Sequence, residues 1–112
     1  MAWTTLCDLS ELAEGEGTFV DIGGRELAVF LHKGQPHVVD NLCPHAGGSM
    51  ASGYVEMAGD DPCAVCPWHG WAFRLRDGEY VGMPGFELKV FATRTEPGDD
   101  GRTLVQADLP MP

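Results

Sequence analysis

The chain has 112 residues, 44% of them apolar, which suits one domain with a hydrophobic core large enough to carry the fold. Seventeen Asp and Glu against seven Lys and Arg give a formal charge of -10, so phosphate backbones and anionic lipid surfaces are repelled and neither nucleic acid nor a membrane is expected as a partner. The charge suits plain solubility or steering toward a basic docking face on another protein.

Glycine (15) and proline (8) punctuate short apolar stretches that often alternate with polar residues, a β signature. The one helical candidate is 8–14, where Asp8 offers a cap and Leu9 and Leu12 lie three apart, enough for one or two turns. Strands are expected at 18–22 and 25–31, joined by Gly23-Gly24, which supplies the positive φ angles of a tight hairpin. A second turn at 32–35 leads to a strand at 36–40. Further strands are expected at 54–57, 64–66, 71–75, 88–92 and 103–107, with turns at 59–62, 76–79 and 97–101. Short strands with frequent turns favour an all-β barrel or sandwich. Residues 108–112 read as a frayed tail. No apolar run approaches the roughly 20 residues of a membrane span, and residues 1–8 show no secretory signal, which makes the cytoplasm the simplest address.

The chemistry is concentrated in two short segments, Cys43-Pro44-His45 and Cys66-Pro67-Trp68-His69, separated by residues 46–65. Both are loops bounded by proline and glycine, the setting in which donor atoms can converge on a metal while the scaffold stays rigid. Gly47, Gly48 and Gly70 allow close backbone approach, and their amides are candidate donors to a negatively charged centre. Two Cys and two His also satisfy one tetrahedral zinc ion, which would make the chain a zinc-stabilised interaction module. The common zinc finger, however, puts both Cys in one half and both His in the other, whereas each half here supplies one of each. Mixed pairs suit a two-iron cluster with both thiolates on one iron and both imidazoles on the other.

These segments resemble the Rieske motif, Cys-x-His followed by Cys-x-x-His. The likeness continues through Gly70-Trp71-Ala72-Phe73, the turn at Asp77-Gly78 and Met83-Pro84-Gly85, and runs from about residue 3 to 107. The pattern is similar to that of soluble Rieske ferredoxins and the nitrite reductase small-subunit family. The resemblance implies a single Rieske domain of stacked antiparallel sheets spanning 1–112, with a cluster-binding subdomain at about 41–85 set into a basal β domain. It implies one [2Fe-2S] cluster per chain, with Cys43 and Cys66 on the inner iron and His45 and His69 on the outer iron near the surface. Gly47, Gly48, Trp68, Gly70, Trp71 and Pro84 would surround it, Pro84 in a loop that covers the cluster and limits water. The implied role is one-electron transfer from a flavin- or NAD(P)H-linked reductase to an oxygenase, or service as the small subunit of an assimilatory nitrite reductase. No substrate chemistry is expected of the chain alone, since 112 residues leave no room for the mononuclear-iron domain of the terminal oxygenases.

Departures from the high-potential respiratory members are equally specific. Their two extra cysteines, which tie the cluster loops together, fall here on Gly48 and Trp68, and their hydroxyl donors fall on Trp71 and Phe73. A potential near the low end of the roughly -150 to +300 mV Rieske range follows. The 20-residue gap between the two segments is a few residues longer than is usual, with the surplus expected at 57–63. Of the remaining candidates, Cys63 is expected to be a free thiol, Cys7 a buried or half-buried strand-end residue, and His32 and His37 solvated polar residues. Trp68 and Trp71 are expected to pack the cluster loops on the β core, unless Trp68 keeps an exposed ring for partner docking.

Overall fold

The computed structural model describes residues 2–44, 47–68, 70–82 and 84–110. Within them run ten strands: β1 (Ala2–Asp8), β2 (Gly17–Ile22), β3 (Arg25–His32), β4 (Gln35–Asp40), β5 (Tyr54–Ala58), β6 (Asp61–Val65), β7 (Ala72–Arg74), β8 (Val90–Phe91), β9 (Thr93–Pro97) and β10 (Thr103–Leu109). They form three antiparallel sheets, ordered β1-β10-β9, β2-β3-β4-β8 and β5-β6-β7. No described helix is long and apolar enough to cross a membrane.

The middle sheet is covered on both faces, and β3 explains how. Its residues Leu27, Ala28, Val29, Phe30 and Leu31 are buried in succession, because alternate side chains enter different cores. Leu27 and Val29 join Val38, Phe91, Val105, Ala107 and Leu109 between the middle sheet and β10. Ala28 and Phe30 face the other way, into a cluster with Val39, Met50, Ala64, Phe73, Leu75 and both Cys43 and Cys66. The motif cysteines therefore sit at the edge of a packed core.

The hairpin turns follow the sequence. Ile22 opposes Arg25, so Gly23 and Gly24 form a two-residue turn with φ of 60° and 92°, the conformation that glycine adopts at least cost. His32 opposes Gln35, and Lys33 takes φ 50° there despite its side chain. The Glu14 carboxylate accepts hydrogen bonds from the amides of Lys33 (2.6 Å) and Gly34 (3.1 Å), fixing that turn. These donors hold the Glu14 pKa below its ordinary value.

Several expectations need correction. The helix at 8–14 is only a 3-10 turn, Leu9–Glu11, although Asp8 does cap it: Asp8 Oδ1 accepts from Ser10 N (3.0 Å) and Glu11 Oε1 accepts from Asp8 N (3.0 Å). The turn placed at 59–62 is only Gly59-Asp60, because Ala58 already opposes Asp61. Pro62 consequently lies inside β6, opposite Met57. The Pro62 carbonyl accepts from Leu75 N (3.0 Å) on the side where β7 has already ended. A residue's N–H and C=O point to the same side of a strand, so the donor that proline lacks falls beyond the regular ladder. The tail starts later than expected: β10 continues through Asp108 to Leu109, which is buried and pairs with Ala2. Strand β9 was not expected, and of β1 only its end was, at Cys7, which lies one residue before the strand closes at Asp8.

Candidate metal centre

Two loops of the same construction carry the motif cysteines. In the first, Cys43 N donates to Gly48 O (2.9 Å) and Gly47 N donates back to Cys43 O (2.9 Å). In the second, Cys66 N donates to Trp71 O (2.8 Å) and Gly70 N donates back to Cys66 O (2.9 Å). Gly47 and Gly70 take φ of 71° and 73° at equivalent places, left-handed conformations that a side chain would strain. Each loop thus turns the chain through five residues and leaves its cysteine inside, Cys43 at 2% and Cys66 at 0% exposure. The Gly47 and Gly70 amides, expected as donors to a cluster, are engaged by the cysteine carbonyls of their own loops.

His45 and His69 lie outside the described residues, as does Met83. The equivalent turns still fix a relation between them in sequence: His45 is two residues after its cysteine and His69 three, so the second loop has Trp68 where the first has His45.

The first loop is held from below by a residue that the motif reading passed over. Asn41 ends the run from β4 and is buried at 4% exposure. Its Oδ1 accepts from Ser49 Oγ (3.1 Å) and Ala51 N (2.9 Å), its carbonyl accepts from Met50 N (2.7 Å), and its own amide donates to Glu26 O (3.1 Å). Asn41 therefore closes the base of the first loop. Nothing in the sequence alone singles it out, because its hydrogen-bond partners come together only on folding.

The two tryptophans differ. Trp68 is 67% exposed, and its indole lies across Gly48, where a Cβ would overlap Trp68 Cδ1. The positions where the high-potential relatives carry paired cysteines are thus in contact here, joined by an aromatic edge on a glycine. Trp71 instead enters an aromatic group: it stacks on Tyr80 (centroids 4.0 Å, planes 7° apart), meets Phe86 edge-on (5.0 Å) and lies 6.4 Å from Phe73. Pro84 and its neighbour Gly85 are exposed.

Cys63 is buried and free, its thiol donating to Asp61 O (3.6 Å), and burial raises its pKa. Cys7 is half-buried near the end of β1, its pKa pushed up to about 11 by burial and then by Glu11 and Asp8. Thiols held protonated in this way are poor nucleophiles and poor metal ligands. His37 is not simply solvated: it is half-buried on β4, and burial, assisted by the charge of His32, lowers its pKa.

Buried thiols in two like-built loops, each closed by a left-handed glycine, are the right donors for a thiolate-bound metal centre. The model of the Rieske [2Fe-2S] domain matches residues 2–92, and the chain belongs to that family. A Mycobacterium tuberculosis protein described as an NADH-dependent nitrite reductase small subunit is 32% identical, with a TM-score of 0.84 over 98% of this chain and 97% of its own. A Shigella flexneri protein, the 3-phenylpropionate/cinnamic acid dioxygenase ferredoxin subunit, is 30% identical over 83% of this chain and 85% of its own length. The cholesterol 7-desaturase of Hemicentrotus pulcherrimus is 34% identical over 73% of this chain, which spans only 17% of that longer protein. Family and donors agree on one [2Fe-2S] cluster per chain as the cofactor.

Proposed function

We propose that the chain is a one-electron carrier whose cluster is held by Cys43 and Cys66 on the inner iron and by His45 and His69 on the outer iron. The observation that carries this reading is the pair of equivalent loops that bury Cys43 and Cys66 against one core. When bound, the cluster supplies a one-electron couple. The protein's part is to hold the thiolates in a packed, water-poor setting. The single domain then divides by role, with 41–85 as the cluster-binding subdomain and the remaining strands as its base.

With Trp71 and Phe73 in place of hydroxyl donors, the reduced state gains little from hydrogen bonding, and a potential near the low end of the roughly -150 to +300 mV Rieske range follows. The exposed Trp68 ring gives a partner an apolar anchor beside the proposed exit. The partners are a flavin- or NAD(P)H-linked reductase and an oxygenase, met through basic faces that complement the charge of -10. A cytoplasmic address fits this work. The likeness to the M. tuberculosis protein favours a second reading, a small subunit bound permanently to a reductase. Isolation as a monomer speaks for the free ferredoxin, and co-purification with a larger reductase for the subunit.

Iron and sulfide counts on single variants test the ligand set. Cys43→Ser and Cys66→Ser are expected to lose most of both, while Cys7→Ser and Cys63→Ala retain them. Full retention in Cys43→Ser or Cys66→Ser overturns the assignment.

A further inference from the structure

Trp68 belongs to the Cys66 loop but rests on the Cys43 loop. Each loop is closed by its own backbone, Cys43 N on Gly48 O in the first and Cys66 N on Trp71 O in the second. From the second, the Trp68 indole reaches across to Gly48, where an added Cβ would overlap Cδ1 and lie 2.6 Å from Nε1 and 2.9 Å from Cγ. All three atoms belong to the five-membered ring, so that edge is the one seated on the glycine. The φ of Gly48 lies outside the left-handed region, so glycine is needed here for space and not for conformation. Trp68 is 67% exposed, whereas Cys43 and Cys66 are buried with Met50, Ala64 and Phe73 in one core. The two loops therefore meet twice, once through the core that holds their cysteines and once through a ring at the surface.

We propose that Trp68 is a positioning residue: its indole, seated on Gly48, holds the two cysteine loops at a fixed spacing and so keeps the Cys43 and Cys66 thiolates in register for one iron. The inference rests on the proposed ligand set. A metal site needs its donors held within about 0.5 Å of their productive geometry by residues that are themselves locked in place. An indole offers a flat, rigid edge, and a glycine backbone lets that edge come into full contact. Gly48→Ala keeps a backbone that alanine can adopt and pushes the ring away; Trp68→Ala keeps the glycine and removes the ring. Either change frees the loops from each other at the surface and leaves the shared core of the cysteines as it is. The effect therefore falls on the spacing of the thiolates rather than on the fold.

The test is a double-mutant cycle on the holoprotein: Gly48→Ala, Trp68→Ala and the two together. It is read by visible circular dichroism of the oxidised protein, by iron loss to a chelator, and by hydrogen exchange at the Cys43 and Gly70 amides. Each single variant is expected to retain iron and sulfide, to alter the circular dichroism, and to lose iron and exchange those amides roughly tenfold faster. The double variant is expected to match Trp68→Ala, because the added methyl then meets no ring. Wild-type behaviour in either single variant, or effects that add in the double variant, overturn the proposal. Faster iron loss with an unchanged circular dichroism spectrum overturns it as well, since a contact that merely stabilises the loops would do that without moving the ligands. Should Trp68→Ala fail to fold or to retain iron, Gly48→Ala decides alone. A wild-type chain without iron or sulfide would fail the ligand reading instead, and amide exchange across the same cycle would still judge the seat of the ring.

Discussion

Asn41 shows how much of the site depends on one polar side chain. Replacement by alanine would leave the half-buried Ala51 amide and the Ser49 hydroxyl without their acceptor, and a donor left unsatisfied on burial costs about 1–3 kcal/mol. Asn41→Ala is expected to destabilise the protein by about 2 kcal/mol in chemical denaturation and to loosen the first loop, read as faster iron loss to a chelator. A midpoint and loss rate equal to wild type would show that the clasp carries no load. His37 sets a pH dependence. Its folded-state pKa is lowered from 6.5 by burial, so the unfolded chain binds the proton more readily and stability falls as pH drops below about 6.5. Below pH 4.5 the sign is the same for a different reason: Asp8 and Glu14, lowered from 3.8 and 4.5 by backbone donors, lose their hydrogen bonds on protonation. Melting temperatures between pH 5 and 7.5 should therefore decline toward acid, and His37→Gln should flatten that slope. An unchanged slope in the variant would remove His37 as its cause.

Among the elements, the strands that the sequence announces are those whose cores are local to them. The apolar run of β3 and the flanking turns at Gly23-Gly24 and Lys33-Gly34 specify the first meander almost to the residue. Strands β1 and β9 carry no comparable signal. β9 reads Thr-Arg-Thr-Glu-Pro and lies at a sheet edge, and β1 pairs with β10 from the far end of the chain. Their conformation comes from tertiary pairing, which local pattern does not contain. Pro62 misled for a similar reason, since its place in β6 is tolerated only because β7 is short. Close approach of elements makes a sharper demand at Gly53, between the 3-10 turn Met50–Ser52 and β5, where a Cβ would overlap the Val65 carbonyl oxygen. Gly53→Ala must push β6 away and is expected to cost more than about 3 kcal/mol. A loss under 1 kcal/mol in urea denaturation would mean that the two elements separate freely.

For the molecule as a whole, the metal motif was legible because its residue types have few other uses at such spacing. Cys43 and Cys66 do come together in one core. The supports were not legible. The Trp68 edge on Gly48 and the Asn41 clasp depend on residues brought together by folding, and nothing in the local sequence marks them. Both bear on the loops of the motif cysteines, and in place of a covalent tie the chain uses a packed ring and a hydrogen-bonded side-chain amide. That arrangement suits a small carrier that must hold its centre rigid through each electron exchanged, since rigid surroundings limit reorganisation. The most direct test is an anaerobic visible and EPR spectrum of the purified protein, oxidised and then reduced with dithionite, with iron and sulfide counted on the same sample. Two irons and two sulfides per chain, with a spin-half signal of the low average g value expected for mixed His and Cys ligation, are the predicted result. A colourless protein that holds zinc would contradict the electron-carrier account and leave a structural metal module in its place.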